Sequence, residues 1–203
     1  TLDAPGAEWL QGLPGPPLAL GPGLGLYGFS RSAGQWLRKN VADYDAVIVH
    51  GIWQYQSLAV RRACRAAEVP YFLFVHGALD PWFEQEYPSK HAKKALYWRL
   101  SEHRTLQDAR AVLFTCDEER MLARQSFSPY HATEAITPIG VEEPVGLPEG
   151  QRRAFLELHP DLAGKRIVLF MSRLHPKKGC DLLIRAFADV AHRDDALHLV
   201  IAG

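Results

Sequence analysis

Apolar residues in this chain fall into short unbroken runs separated by longer amphipathic stretches. Asp45-Ala46-Val47-Ile48-Val49, Tyr71-Phe72-Leu73-Phe74-Val75, Ala111-Val112-Leu113-Phe114, Arg166 to Met171 and Leu197 to Ala202 are bounded by polar or turn residues and read as buried strands. A further short strand is expected over Ala135 to Ile139. Between these runs the apolar positions recur at helical spacing. Ser30 to Asn40 reads as a helix with Trp36 and Leu37 on its apolar side, and Ser57 to Glu68 as a second. Ala92 to Asp108 reads as a long helix with Ala92, Leu96, Leu100 and His103 on one stripe. Thr115 stands three residues before Glu118, a capping-box pattern that opens a helix through Ala123. A last helix, from about Lys178 to His192, carries Leu182, Leu183, Ala186, Phe187 and Val190. Strands that alternate with helices, and that are continuously apolar, predict parallel sheets covered on two faces: a doubly wound α/β architecture.

Two segments interrupt this pattern. Leu13-Pro14-Gly15-Pro16-Pro17 and Gly21-Pro22-Gly23-Leu24-Gly25 hold too much Gly and Pro for a helix or a central strand and predict a loop. Residues 140–150 carry Pro144, Pro148 and three glycines and predict a domain boundary. Residues 1–150 then form one domain, and 151–203, after a short polar helix, the beginning of another. A β-α-β piece leaves parallel edges bare, and Thr1 is not an initiator Met, so the chain reads as truncated at both ends.

Composition narrows the function classes. Lys plus Arg and Asp plus Glu both number 23, so there is no general electrostatic attraction for nucleic acid. No run of about 18 apolar residues predicts a membrane span, and the N-terminus has no signal-peptide pattern. Cys64, Cys116 and Cys180 are widely spaced and predict reduced, mostly buried thiols of a cytosolic protein. Neither CxxC nor a His-rich spacing points to zinc.

The sharpest chemistry lies in Met171-Ser172-Arg173-Leu174-His175-Pro176-Lys177-Lys178-Gly179, which leaves a buried strand and enters a helix. Ligands of open α/β sheets bind outside the carboxyl ends of strands, where a helix N-terminus offers free N–H groups. Arg173 adds a bidentate fork and Lys178 a compact cation, a pair suited to a diphosphate leaving group. A surface turn with solvated cations is the alternative. His76 ends a buried strand ahead of Gly77, and His50-Gly51 repeats this one strand earlier, followed by Trp53 and Gln54. An aromatic face beside hydrogen-bonding groups suits a sugar, while core packing under the loop is the plainer reading. Asp80 and Trp82, in the loop after His76, are further acceptor-contact candidates.

Ser172 to Phe187, followed by Leu197 to Gly203, resembles the G-R-L-x-x-x-K-G-x-D-x-L-I-x-A-F signature of the retaining GT-B glycosyltransferases of family 4, with Ser172 in place of the usual Gly. Tyr44 to Trp53, Val69 to Gly77, Glu102 to Glu118 and Pro138 to Val141 are similar, in order, to the upstream strands of that family, so that about residues 30–203 are covered. The resemblance implies two Rossmann-like domains facing a cleft, with acceptor on the first and nucleotide-sugar donor on the second. It also implies retention of configuration and no required metal or other cofactor. By position it implies that Arg173 and Lys178 hold the donor diphosphate and that His76 is the catalytic-centre histidine near the transferred sugar. His50, Trp53, Gln54, Asp80 and Trp82 become candidate substrate contacts. The acceptor would be a saccharide or a lipid-linked saccharide, the role cell-surface polysaccharide or glycolipid synthesis, and the setting cytoplasmic with peripheral association at the inner membrane face.

Other classes are weighed by the same residues. Asp43-Tyr44-Asp45 has the D-x-D form of a metal-dependent transferase but precedes its strand, the wrong end of a parallel sheet. Gly21 to Gly25 follows no strand and contains Pro, so it does not form a dinucleotide fingerprint. A nucleotide-sugar epimerase of the same fold and a catalytically inactive sugar-binding module remain as alternatives. The acidic donor-contacting segment of the family would lie beyond Gly203, so the fragment alone is expected to turn over little or nothing.

Overall fold

The computed structural model describes every residue except 1, 5, 9, 11–14 and 16. Part of the Pro-rich loop expected at Leu13 to Pro17 therefore lies outside the described residues. The chain divides into two compact units, Thr1–Gly140 and Val141–Gly203, at the start of the 140–150 segment read as a boundary from the sequence.

In the first unit, helix α1 (Arg31–Asn40) opens at Ser30, whose hydroxyl accepts from the Ala33 N–H at 3.1 Å. Strands β1 (Val47–His50), β2 (Tyr71–Phe74), β3 (Ala111–Phe114) and β4 (Glu134–Ile136) form one parallel sheet in the order β1-β2-β3-β4. The expected α/β class and parallel pairing are thus present. Helices α2 (Tyr55–Ala67), α4 (Pro88–Tyr97), α5 (His103–Gln107) and α6 (Asp117–Ser126) supply the crossovers, and a short α3 (Trp82–Glu86) precedes α4. Val60, Cys64, Trp98, Leu106 and Ala123 of this helical layer pack on Val49, Leu73, Val112 and Phe114 in the main core. The opposite sheet face carries a smaller cluster of Phe74, Ala111 and Leu113. On edge strand β1, Ile48 is 58% exposed. Asp108 ties α2 to the end of α5 through Arg61 Nε at 2.7 Å and Arg65 Nη1 at 2.8 Å.

Three local expectations are corrected. The long helix begins at Pro88 rather than Ala92, with Pro in the first turn, where a missing N–H costs nothing. It is interrupted by a π-helical turn at Trp98–Glu102. Its buried stripe is Trp98, Glu102, Thr105 and Leu106, whereas Leu96 and Leu100 of the expected stripe are 63% and 67% exposed. Helix α6 is N-capped at Cys116, whose side chain makes no capping bond, so the Thr115–Glu118 capping box is replaced by Glu119 accepting from the Thr115 N–H and hydroxyl. Among the thiols only Cys64 is buried, and burial raises its pKa to about 11; Cys116 is exposed.

The second unit holds α7 (Pro148–Leu158), then β5 (Arg166–Met171) and β6 (Leu197–Ala202), paired in parallel over six residues with α8 (Cys180–Ala191) between them. Arg166 is ion-paired with Asp194, which anchors the start of β5 beside the turn that enters β6.

Candidate functional site

The carboxyl ends of β1 and β2 bring two histidines together. His50 is the last residue of β1, and its register partner in β2 is Phe74. The chain then turns at His76, so that His50 Nδ1 lies 2.9 Å from His76 Nε2. The rings of His50, Phe74 and His76 stack with centroids 5.1–5.3 Å apart and nearly parallel planes. Both imidazoles are exposed on their outer side. One ring must donate and the other accept, so at least one is neutral and the outward nitrogens can serve a hydroxyl. Desolvation first, and the adjacent His76 second, hold the His50 pKa below its usual 6.5. With a depressed folded-state pKa, the contribution of His50 to stability is full above about 6.5 and is lost as pH falls through the lowered value. Denaturant titrations across pH 4–7 should therefore show a loss of stability on acidification that is smaller in His50→Gln.

Both turns are conformationally strained, and two carboxylates hold them. Trp53 (φ 75) and His76 (φ 50) are non-glycine residues in the left-handed region, a cost of about 1–3 kcal/mol each. Such strain persists only where neighbours over-determine it, and here they do. Glu119 Oε1 accepts from the Gly77 N–H at 2.6 Å, and its Oε2 accepts from the Thr115 N–H and hydroxyl at 2.7 Å. This half-buried carboxylate clamps the His76 turn to the end of β3. Glu102, fully buried, accepts from the Trp53 N–H at 3.3 Å and the Ser57 hydroxyl at 3.0 Å, and burial raises its pKa.

Glu119→Ala removes three charge-assisted bonds and should destabilise the unit by about 2–3 kcal/mol in chemical denaturation. Glu119→Gln should also lose stability, because its amide NH₂ must face one of two N–H donors. Sequence reading settled on Glu118, which is exposed. No local pattern marks Glu119, because one of its partners, the Gly77 N–H, lies 42 residues away in the chain.

The other substrate-contact candidates divide. Gln54 is exposed at the N-cap of α2 and lines, with His50, Gln56 and Trp36, an open cavity of about 750 Å³, a size suited to small-molecule ligands. Trp53 turns inward. Its ring packs against Trp98 and Phe127, its Nε1–H donates to the Ala78 carbonyl at 3.3 Å, and Lys94 Nζ lies 4.8 Å above it. It therefore fits a wall better than an open stacking platform. Asp80 lies in the loop, as expected, whereas Trp82 is the first residue of α3, and Asp80 Oδ1 accepts from the Trp82 N–H at 2.8 Å. Trp82 packs edge-on against Phe83 and Tyr87.

In the second unit, the segment leaving β5 runs through Arg173 into a 3₁₀ turn, Pro176–Lys178, then through left-handed Gly179 (φ 66) into α8. Lys178 thus lies just before the helix rather than in its first turn. His175 Nδ1 accepts from the Lys177 N–H at 3.2 Å, which shapes the turn. Gly179 brings no capping side chain, so the first N–H groups of α8 stay open at its positive end. Arg173 and Lys178 are both exposed, and neither head group has an acceptor among the described residues. Two free cations beside an uncapped helix N-terminus can hold a diphosphate. Among the described residues no group of three or more His, Cys, Asp and Glu side chains is placed to hold a metal ion, and no helix is long and apolar enough to cross a membrane.

Comparison with known proteins agrees with this geometry. Residues 2–138 match the family described as "Glycosyl transferase 4-like domain", and residues 157–203 match "Glycosyl transferases group 1". A GDP-mannose-dependent alpha-(1-6)-phosphatidylinositol monomannoside mannosyltransferase of Mycolicibacterium smegmatis is 34% identical over 107 residues, 52% of this chain and 28% of that protein. Crystal structures of Anabaena HepE, one with UDP and glucose and one with UDP-glucose, superimpose with TM-scores of 0.56 and 0.55 at 17% and 16% identity. They cover 87% of this chain and 44% of theirs. The chain thus spans between a quarter and a half of the length of these relatives. Its parallel α/β units are those of the GT-B fold, and the chain belongs to the family of the glycosyl transferase 4-like domain.

Proposed function

We propose that the whole protein transfers a sugar from a nucleotide-diphosphate sugar to a saccharide or lipid-linked acceptor with retention of configuration and without a required metal. The observation that carries this reading is the turn from β5 to α8, where Arg173 and Lys178 stand exposed, with no partner among the described residues, beside open helix N–H groups. Charge on the leaving diphosphate grows as the glycosidic bond to the nucleotide breaks, so fixed cations there stabilise the transition state more than the ground state. His76, paired with His50, positions hydroxyls of donor sugar or acceptor, and Gln54 extends that polar edge. The named relatives support a nucleotide sugar, though one is named for GDP-mannose and the other was crystallised with UDP-glucose. The lipid acceptor in the mannosyltransferase's name supports a place in glycolipid or cell-surface glycan synthesis at the cytoplasmic face of a membrane. Proton NMR of the glycoside formed by the whole protein, compared with the anomeric configuration of its donor, tests this assignment. Retained configuration supports it, and inversion refutes the retaining reading.

A further inference from the structure

A second cavity, of about 60 Å³, lies one step from the His76 turn and has Ala78 in its wall. That is several times the roughly 10–15 Å³ that one buried water needs on the same measure, so a compact polar group fits. Three basic residues of α4 line it, Lys90, His91 and Lys94, against the rings of Phe83 and Phe127. Lys90 and Lys94 are spaced i and i+4, which puts two like charges on one helix face, an unfavourable arrangement on its own. Neither ammonium has a carboxylate within ion-pair distance among the described residues, whereas His91 Nε2 lies 3.9 Å from Glu84. Asp80 also lines the cavity, with one carboxylate oxygen occupied by the Trp82 N–H. Lys94 Nζ is held instead over the faces of Trp53, at 4.8 Å, and Phe83, at 5.6 Å. Desolvation, reinforced by Lys90, lowers its pKa. A half-buried cation beside a second cation, fixed by aromatic rings, is costly in the empty protein and favourable once an anion arrives.

We propose that this cavity is an anion subsite, in which Lys90, His91 and Lys94 bind a compact oxyanion, phosphate or carboxylate, carried by the acceptor. The assignment of the anion to the acceptor rests on the transferase reading; the existence of the site does not. Two ammonium groups and an imidazole ring supply hydrogen-bond donors from one side, and the rings exclude water from the other.

The test is a calorimetric titration and thermal melt of the whole protein carrying Arg173→Ala and Lys178→Ala, so that the donor turn does not bind the probe. Inorganic phosphate and glucuronate are titrated separately at constant ionic strength. Saturable binding of one probe and a raised Tm are expected, with affinity falling at least tenfold in Lys94→Gln and in the exposed-site variant Lys90→Gln, and retained in Lys94→Arg. The preferred probe identifies the anion as phosphate or carboxylate. Absence of saturable binding by either probe, or equal binding in Lys90→Gln and its parent, overturns the proposal. Because the readout is binding and not turnover, it stands or falls separately from the transferase reading.

Discussion

Arg173→Ala in the whole protein is expected to lower kcat/KM for the nucleotide sugar by about 100-fold or more, the scale seen when one fixed donor to a developing charge is removed. Structurally the change is mild. Arg173 is exposed, lies outside regular structure and has no partner among the described residues, so folding should be unaffected. A loss of turnover without a loss of Tm is therefore the signature. Arg173→Lys should recover only part of it, because an ammonium keeps the charge but not the bidentate fork. Donor affinity by calorimetry should fall in parallel. Unchanged donor affinity and turnover in Arg173→Ala would remove the diphosphate role.

The second large effect concerns His76. His76→Asn should lower kcat by about 100-fold, since misplacing a group near the reacting centre by an ångström is enough for that loss. Asn is chosen because it tolerates the left-handed backbone found at this position, with φ 50, so the change tests the imidazole and not the turn. The fold should therefore survive, as judged by circular dichroism and Tm. Wild-type turnover in folded His76→Asn would make this a structural strand-end histidine. Glu119 acts one step back: if it works by holding Gly77, Glu119→Gln should reduce kcat while leaving donor affinity at the separate Arg173 turn unchanged.

Much of the fold is legible in the sequence for a simple reason: a strand covered by a helical layer needs an unbroken apolar run, and β1, β2 and β3 are written that way. The runs of β5 and β6 mark strands too, but not the buried ones expected: Leu169 is 55% and Met171 78% exposed. Helices are less legible where apolar letters and buried positions part company. Along α4 and α5 the buried side includes Glu102 and Thr105, while Leu96 and Leu100 face outward, so apolar periodicity selects the wrong face. The π-helical turn at Trp98–Glu102 then shifts the phase for everything after it.

The site was partly visible. A histidine before glycine at a strand end marks His50 and His76, because the chain must turn there at the carboxyl edge of the sheet. Their mutual hydrogen bond was not visible, since it depends on β1 and β2 pairing with His50 opposite Phe74, and register between distant strands is not a local signal. Neither Glu119 nor Lys94 is marked locally, because the Gly77 N–H that Glu119 accepts from and the Trp53 indole under Lys94 both lie about forty residues away in the chain.

The most direct test of the central claim is nucleoside diphosphate release by the whole protein in EDTA, with UDP-, GDP- and ADP-sugars and with acceptor present or absent. The account predicts release from one class of donor without metal, stimulated by acceptor and abolished in Lys178→Ala. Release that requires a divalent metal, release unaffected in Lys178→Ala, or no release from any donor by the folded protein would contradict it.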